Sequence, residues 1–297
     1  MSPLRTTILI VAVLLLAAAL VAAQCMMLVQ RTAVKTAFLL PHVERAFSAI
    51  GTPEAHEELV RYIMDSTLRT ARARIPIGYR EPLLEASVAA LSPPWIQEEI
   101  LQILNKALAV LRGRSQSLTH TIYLSRRKDM LVAELARRLP AEQAAEIRAG
   151  SSMVPDAVEL EDIVGKDVIG FLVLLGRRYI LFSLLFIYVV PIVLAALVLQ
   201  LGRMRFAVLS LGAAALLSGV LFLALLGRAF GPLEARFILP ALRGLPEAFR
   251  WVRDLAGELL EGARGVGRDI GTVSAACGGA VLLSGVTLAV LLRRAGA

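Results

Sequence analysis

Between Tyr179 and Leu226 the chain carries two long uncharged apolar runs, Tyr179–Leu201 and Phe206–Leu226, separated only by Gly202-Arg203-Met204-Arg205. Each run exceeds the roughly 20 helical residues that cross about 30 Å of hydrocarbon. Backbone groups in lipid must satisfy their own hydrogen bonds, so two such runs with a four-residue connection predict a helical hairpin in a membrane. A composition that is 57% hydrophobic, with a mean hydropathy of +0.69, is too apolar for an ordinary soluble chain and agrees with that reading.

Two further runs have the same character. Thr272–Leu292 is a fourth apolar stretch, and Thr6–Val29 a first. The first has two readings. It is a retained transmembrane helix, or a signal peptide cut after Val21-Ala22-Ala23, where the small residues suit a peptidase. Its apolar character continues past that point to Val29, which favours the retained helix. Gln24 stands where a lipoprotein signal would place a small residue before Cys25.

The net charge of +8 resembles a nucleic-acid signal until it is mapped. Arg5, Arg203, Arg205, Arg293 and Arg294 lie in short segments beside helix ends and account for five of the eight excess charges. The long segment 30–178 holds 20 basic and 18 acidic residues, and 228–271 holds 7 and 6. Neither presents the basic face that nucleic acid requires, so that class is excluded. Arginine in short loops near helix ends marks the cytoplasmic side. With four spans all five of those arginines fall on one side. Both termini are then expected in the cytoplasm and both charged segments outside, in the plasma (inner) membrane of a bacterium. Arg177 and Arg178 oppose this, but they end a long translocated segment, where the rule has little force.

Segment 30–178 is too long and too charged to be a loop and is expected to be a helical extracytoplasmic domain. Thr52-Pro53-Glu54 places a cap, a proline and an acid at a helix start. Leu59, Val60, Ile63, Met64 and Leu68 follow on one face. Pro76 and Gly78 interrupt this helix, and Pro82–Leu91 is a shorter one. Ser92-Pro93-Pro94-Trp95 opens the clearest helix, with Ser92 as its cap and Gly113 as its stop. Trp95, Ile96, Ile100, Ile103, Leu104, Ala107, Leu108 and Leu111 form its apolar stripe. Leu118–Leu124 alternates like a short strand. Ser125 is expected to cap a helix over Arg126–Leu139, residues 140–149 to add a turn or two, and the acidic Pro155–Asp167 to serve as a connector.

The second span contains Pro191, which predicts a kink. In 228–271, Phe249, Val252, Leu255, Ala256, Leu259, Leu260 and Ala263 make one face of an amphipathic helix over Pro246–Ala263. The mixed charge of its other face argues for packing on the protein itself rather than on anionic lipid. The fourth span begins with Ser274, Ala275, Ala276, Gly278, Gly279 and Ala280; small residues four apart allow close approach of another helix, within the chain or from a second copy. Cys25 and Cys277 lie at similar depth, near the outer ends of their spans, which would permit a disulfide but does not require one.

Catalytic signatures are missing. None of the four apolar runs contains Asp, Glu, Lys, Arg or His, which argues against a proton-coupled carrier. His42, His56 and His120 form no metal-ligand pattern, and there is no phosphate loop, nucleophile turn or kinase signature. Asp156, Glu159, Glu161, Asp162 and Asp167 lack calcium-loop spacing. No catalytic, cofactor-binding or metal-ligating set is assigned.

The segment LSPPWIQEEILQILNKALAVLRG, followed by LTHTIYLSRRKDMLVAELARRLP, resembles a class of uncharacterised bacterial membrane proteins over Ser92–Pro140. In these a helical extracytoplasmic domain, with a Pro-Pro-x-Trp-like helix start, lies between an N-terminal helix and later spans. The resemblance implies no activity.

The expected architecture is thus a mainly α membrane protein with transmembrane helices over 6–29, 179–201, 206–226 and 272–292. A mostly helical extracytoplasmic domain (30–178) is inserted between the first two, and an outer amphipathic segment (228–271) precedes the last. Its expected role is non-enzymatic: a sensor, scaffold or assembly protein. Its expected partners are the lipid bilayer, a protein or apolar ligand at the outer domain, and a second copy of the chain. The alternative is an oligomeric channel or lipid-handling transporter built around Pro191. A polar pore or lipid-sized cavity would favour that alternative, and a solid bundle the first reading.

Overall fold

The computed structural model describes residues 3–70, 80–143, 145, 156–161, 166–202, 204–233, 236, 240 and 250–294. The expected interruption at Pro76 and Gly78, most of 140–149, and the start of the amphipathic helix at 246–249 lie outside them. The chain is mainly helical and divides into two compact units. One comprises Met1–Leu40, Arg178–Arg243 and Ala256–Ala297; the other comprises Pro41–Arg177 and Gly244–Leu255.

The elements in chain order are α1 (Pro3–Arg31), α2 (Thr36–Ile50), α3 (Pro53–Thr70), α4 (Arg80–Ala90), α5 (Pro93–Leu111), β1 (Thr121–Tyr123), α6 (Ser125–Arg138) and β2 (Ala157–Glu159). Then come α7 (Lys166–Leu184), a π turn (Leu185–Val189), α8 (Val190–Leu201), α9 (Met204–Leu233) and α10 (Arg250–Arg294). Four helical stretches are long and apolar enough to cross a membrane: Arg5–Arg31, Ile169–Leu201, Phe206–Arg228 and Arg250–Thr287.

In the first unit, Leu9, Ala12, Leu16 and Ala17 of α1 pack with Val198 of α8 and Ala214 of α9. A second cluster joins Phe222 and Leu226 of α9, Ile270 and Val266 of α10, and Val21, Cys25 and Leu28 of α1. Large apolar side chains point outward around this core, among them Ile10, Leu14, Leu181, Tyr188, Ile192, Val220, Leu225 and Leu283. That surface suits hydrocarbon, not water. At one end of the unit Arg5 Nε donates to the Leu201 carbonyl at 2.8 Å, placing a cation on the unsatisfied end of α8.

Pro191 lacks the N–H an α-helix would use, and its ring crowds the carbonyl four residues back. The chain answers with the π turn immediately before it, in which Val190 N–H bonds to the Leu185 carbonyl. The extra residue in that turn absorbs the clash.

Helices α9 and α10 run antiparallel in near backbone contact. A Cβ on Gly212 would lie 2.5 Å from Leu282 N, one on Gly219 2.5 Å from Ala275 N, and one on Gly278 2.2 Å from Leu216 N. The contacts continue from Gly267 against Leu226 to Gly285 against Leu209. The small-residue face of the fourth span is therefore used inside the chain. The glycines that carry it recur every seventh position, at Gly212 and Gly219, and at Gly271, Gly278 and Gly285. Helix α10 is continuous through 271–272, with no break between the amphipathic stretch and the apolar one. Cys25 and Cys277 are free thiols.

The second unit has two apolar clusters. Val43, Phe47 and Leu59 pack with Ile100, Leu101, Leu104 and Trp251, so the beginning of α10 packs on helices α2, α3 and α5. Val110, Leu118, Leu160 and Ile169 form the other, with Ile103, Ala107 and Val173 around them. Helix α5 ends as expected at Gly113, whose φ is +69°. Gly113 N–H bonds to Val110 O at 2.9 Å and Arg114 N–H to Ala109 O at 2.8 Å, the paired bonds of a Schellman stop.

Three local expectations are corrected. Ser92 makes no side-chain cap; Pro93 and Pro94 leave fewer N–H groups to satisfy, and Ser92 Oγ instead meets Arg127 Nη1 at 3.5 Å. Leu124, not Ser125, is the residue before α6, because Leu124 N–H and Ser125 N–H both bond to the Asp156 carbonyl. The acidic stretch taken as a connector contains β2, paired antiparallel with β1: Thr121 faces Glu159, Ile122 faces Val158 and Tyr123 faces Ala157.

Candidate functional site

Two polar clusters, each built around one buried side chain, stand out, one in each unit. In the second unit Glu99 and Lys106 lie seven residues apart on α5, so two helical turns bring them to one face. His120 precedes β1, and its carbonyl accepts the Leu160 N–H at 2.8 Å, which fixes the backbone there. Its buried ring reaches Glu99 Oε2 through Nε2 at 2.8 Å and Lys106 Nζ through Nδ1 at 3.1 Å. Lys106 also donates to Thr119 O at 3.0 Å. An ammonium only donates and a carboxylate only accepts, so the neutral ring carries its proton on Nε2. Both ring nitrogens are then engaged. The cluster ties α5 to the segment before β1 through both ring nitrogens.

Nearby, the Pro-Pro-x-Trp corner has a definite job. Arg127 lies over the Trp95 ring, 5.1 Å from its centroid, and donates to Ala90 O at 3.2 Å. It thereby holds the last turn of α4, the start of α5 and helix α6 together. His56 Nε2 reaches Val88 O at 3.3 Å across α3 and α4, and its Nδ1 has no partner among the described residues. No three His, Cys, Asp or Glu side chains converge on a metal position among the described residues.

In the first unit Gln24 is buried between three helices. Its Nε2 donates to Ser274 Oγ of α10 at 2.6 Å and lies 3.3 Å from Ser218 Oγ of α9. Ser218 donates in turn to Ala215 O at 2.8 Å. Gln24 Oε1 has no partner among the described residues, and turning the amide over only exchanges which atom is left so. An amide amid apolar helices is costly unless bonded, so these contacts fix the rotation of α1 against α9 and α10. The sequence shows Gln24 only as the residue before Cys25, not as a polar contact between helices. The available signal was that it is the only amide within Thr6–Val29.

No family model, curated protein or solved structure matches the chain. The geometry must therefore speak for function by itself. It offers polar clamps that set helix positions and one pair of helices in backbone contact.

Proposed function

We propose that the protein is a non-enzymatic, multi-pass protein of the plasma (inner) membrane that acts as a sensor, scaffold or assembly protein. Its termini lie in the cytoplasm and its helical domain is presented outside. The observation that carries this reading is the contact of α9 with α10 at Gly212, Gly219 and Gly278. Backbones this close leave no lumen between these two helices, and they use the Ala275 and Gly278 side of the small-residue stretch within the chain. Two supports come from the other unit: the imidazole of His120 is fully engaged, and the mixed-charge helix packs through Trp251 on its own unit. The core contacts of Leu9, Ala12, Leu16 and Ala17 support a retained first helix.

The test pairs two measurements on the full chain. Photo-crosslinking from the exposed Tyr123 position in native membranes should capture a defined partner. Proteoliposomes should pass neither ions nor lipid. Flux through the wild-type protein would overturn the reading.

A further inference from the structure

Within the membrane-crossing unit, one cavity has a mixed lining that the packing does not explain. It has a volume of about 440 Å³ and is lined by Leu223, Leu226 and Gly227 of α9 and by Arg264 and Arg268 of α10. This lies within the range of small-ligand cavities and is too small to enclose a whole phospholipid, so it is a headgroup-sized site and not a transporter's lipid cavity. Its described lining carries two guanidinium groups, and Arg264 also holds a further polar contact.

The two sides arise from the register of the helix pair. Leu226 packs on Gly267 and Leu223 on Gly271, which brings the last apolar turn of α9 beside the charged stretch of α10. Arg264 and Arg268 are four residues apart, so they rise from one face about 6 Å apart along the axis. A side chain at Gly227 would meet nothing within 4 Å, so the glycine opens onto space. The apolar run of α9 ends at Leu226, and Arg228 follows. The cavity therefore sits where hydrocarbon gives way to water, with leucines on its apolar side and guanidinium groups on its wet side.

We infer that this cavity binds the phosphate headgroup of an anionic phospholipid, with the acyl chains running along Leu223 and Leu226. Guanidinium groups bind phosphate oxygens through paired, charge-assisted hydrogen bonds, and two of them one turn apart can share one phosphate. The leucines favour a phosphate that carries a hydrocarbon tail. Arginines at a span's end reach the headgroup level without bringing charge into the core.

The experiment uses the full-length protein, delipidated in neutral detergent and offered phosphatidylglycerol, phosphatidylcholine or inorganic phosphate, with bound adducts counted by native mass spectrometry. One phosphatidylglycerol should be retained in preference to phosphatidylcholine. R264Q/R268Q should lower that retention about tenfold or more, since the charged hydrogen bonds to the phosphate oxygens are lost. Gly227→Phe fills the cavity while keeping both arginines, and should abolish retention as well. Melting followed by circular dichroism checks that both variants remain folded. Retention by Gly227→Phe at the wild-type level would mean nonspecific charge attraction and overturn the site. Equal preference for phosphatidylcholine would overturn it too. Displacement of the lipid by an equal concentration of inorganic phosphate would overturn the role of the leucines.

Discussion

Gly278→Ala tests the closeness of α9 and α10 through the sign of its effect. On an open helix face, Gly→Ala stabilises by roughly 0.5–1 kcal/mol, because glycine loses more backbone freedom on folding. At Gly278 the new Cβ would lie 2.2 Å from Leu216 N, 2.6 Å from Ala215 C and 2.7 Å from Leu216 Cα. All three are backbone atoms, so no side chain can swing aside; the helices must part by about 1 Å to restore a 3.4 Å contact. Overpacking of this kind costs about 1–3 kcal/mol, and the displacement also loosens the neighbouring contacts at Gly212 and Gly219. The net expectation is a destabilisation of about 1–2 kcal/mol after the helix-propensity gain. Gly257→Ala and Gly265→Ala are internal controls, since a Cβ at either position meets nothing within 4 Å. They should stabilise by a few tenths to about 1 kcal/mol. The assay is reversible unfolding of the purified protein in mixed detergent micelles, followed by far-ultraviolet circular dichroism. Gly278→Ala and Gly219→Ala at or above wild-type stability would refute the close packing.

The polar clamps make separate predictions. Gln24→Leu should destabilise the first unit by about 1 kcal/mol, and a double-mutant cycle with Ser274→Ala should show coupling of roughly 0.5–1.5 kcal/mol; additive effects in unfolding titrations would deny the bond. Glu99→Ala should cost about 2–3 kcal/mol, because the buried His120 loses its acceptor, and Glu99→Gln should recover part of it; a thermal melt unmoved by either would remove the clamp. Gly113→Ala should cost about 1–2 kcal/mol from its positive φ, seen as a lower denaturation midpoint. For sidedness, cysteines in a background lacking Cys25 and Cys277 should react with an impermeant reagent from outside at Tyr123 and only after permeabilisation at Arg203; the reverse pattern would invert the topology.

Sequence alone revealed what depends on local composition. The four apolar runs, the stop at Gly113 and the strand tendency of Leu118–Leu124 each rest on one stretch of chain, and each has its counterpart in the structure. Features that depend on a distant partner were hidden. Strand β2 exists because β1 is beside it; Ala157-Val158-Glu159 has too few β-forming residues to announce itself. Ser92 and Ser125 have cap chemistry, but prolines at one helix start and the Asp156 carbonyl at the other took their roles. The glycine pattern was legible at the wrong period. Small residues four apart drew attention, while the antiparallel pair uses glycines seven apart, a spacing that keeps one helix face on its partner over several turns. The polar clusters were illegible because Glu99 and His120, or Gln24 and Ser274, meet only after the helices have packed.

The seventh-position glycines have a mechanical consequence. Helices in backbone contact at Gly212, Gly219 and Gly278 resist sliding and rotating independently, so α9 and α10 move as one stiff strut. Helix α8 is fastened by Val198 against α1 and by Arg5 on the Leu201 carbonyl, but the turn before it is already one bond out of step. Bending in the second span is thereby concentrated at that widened turn while the strut stands still.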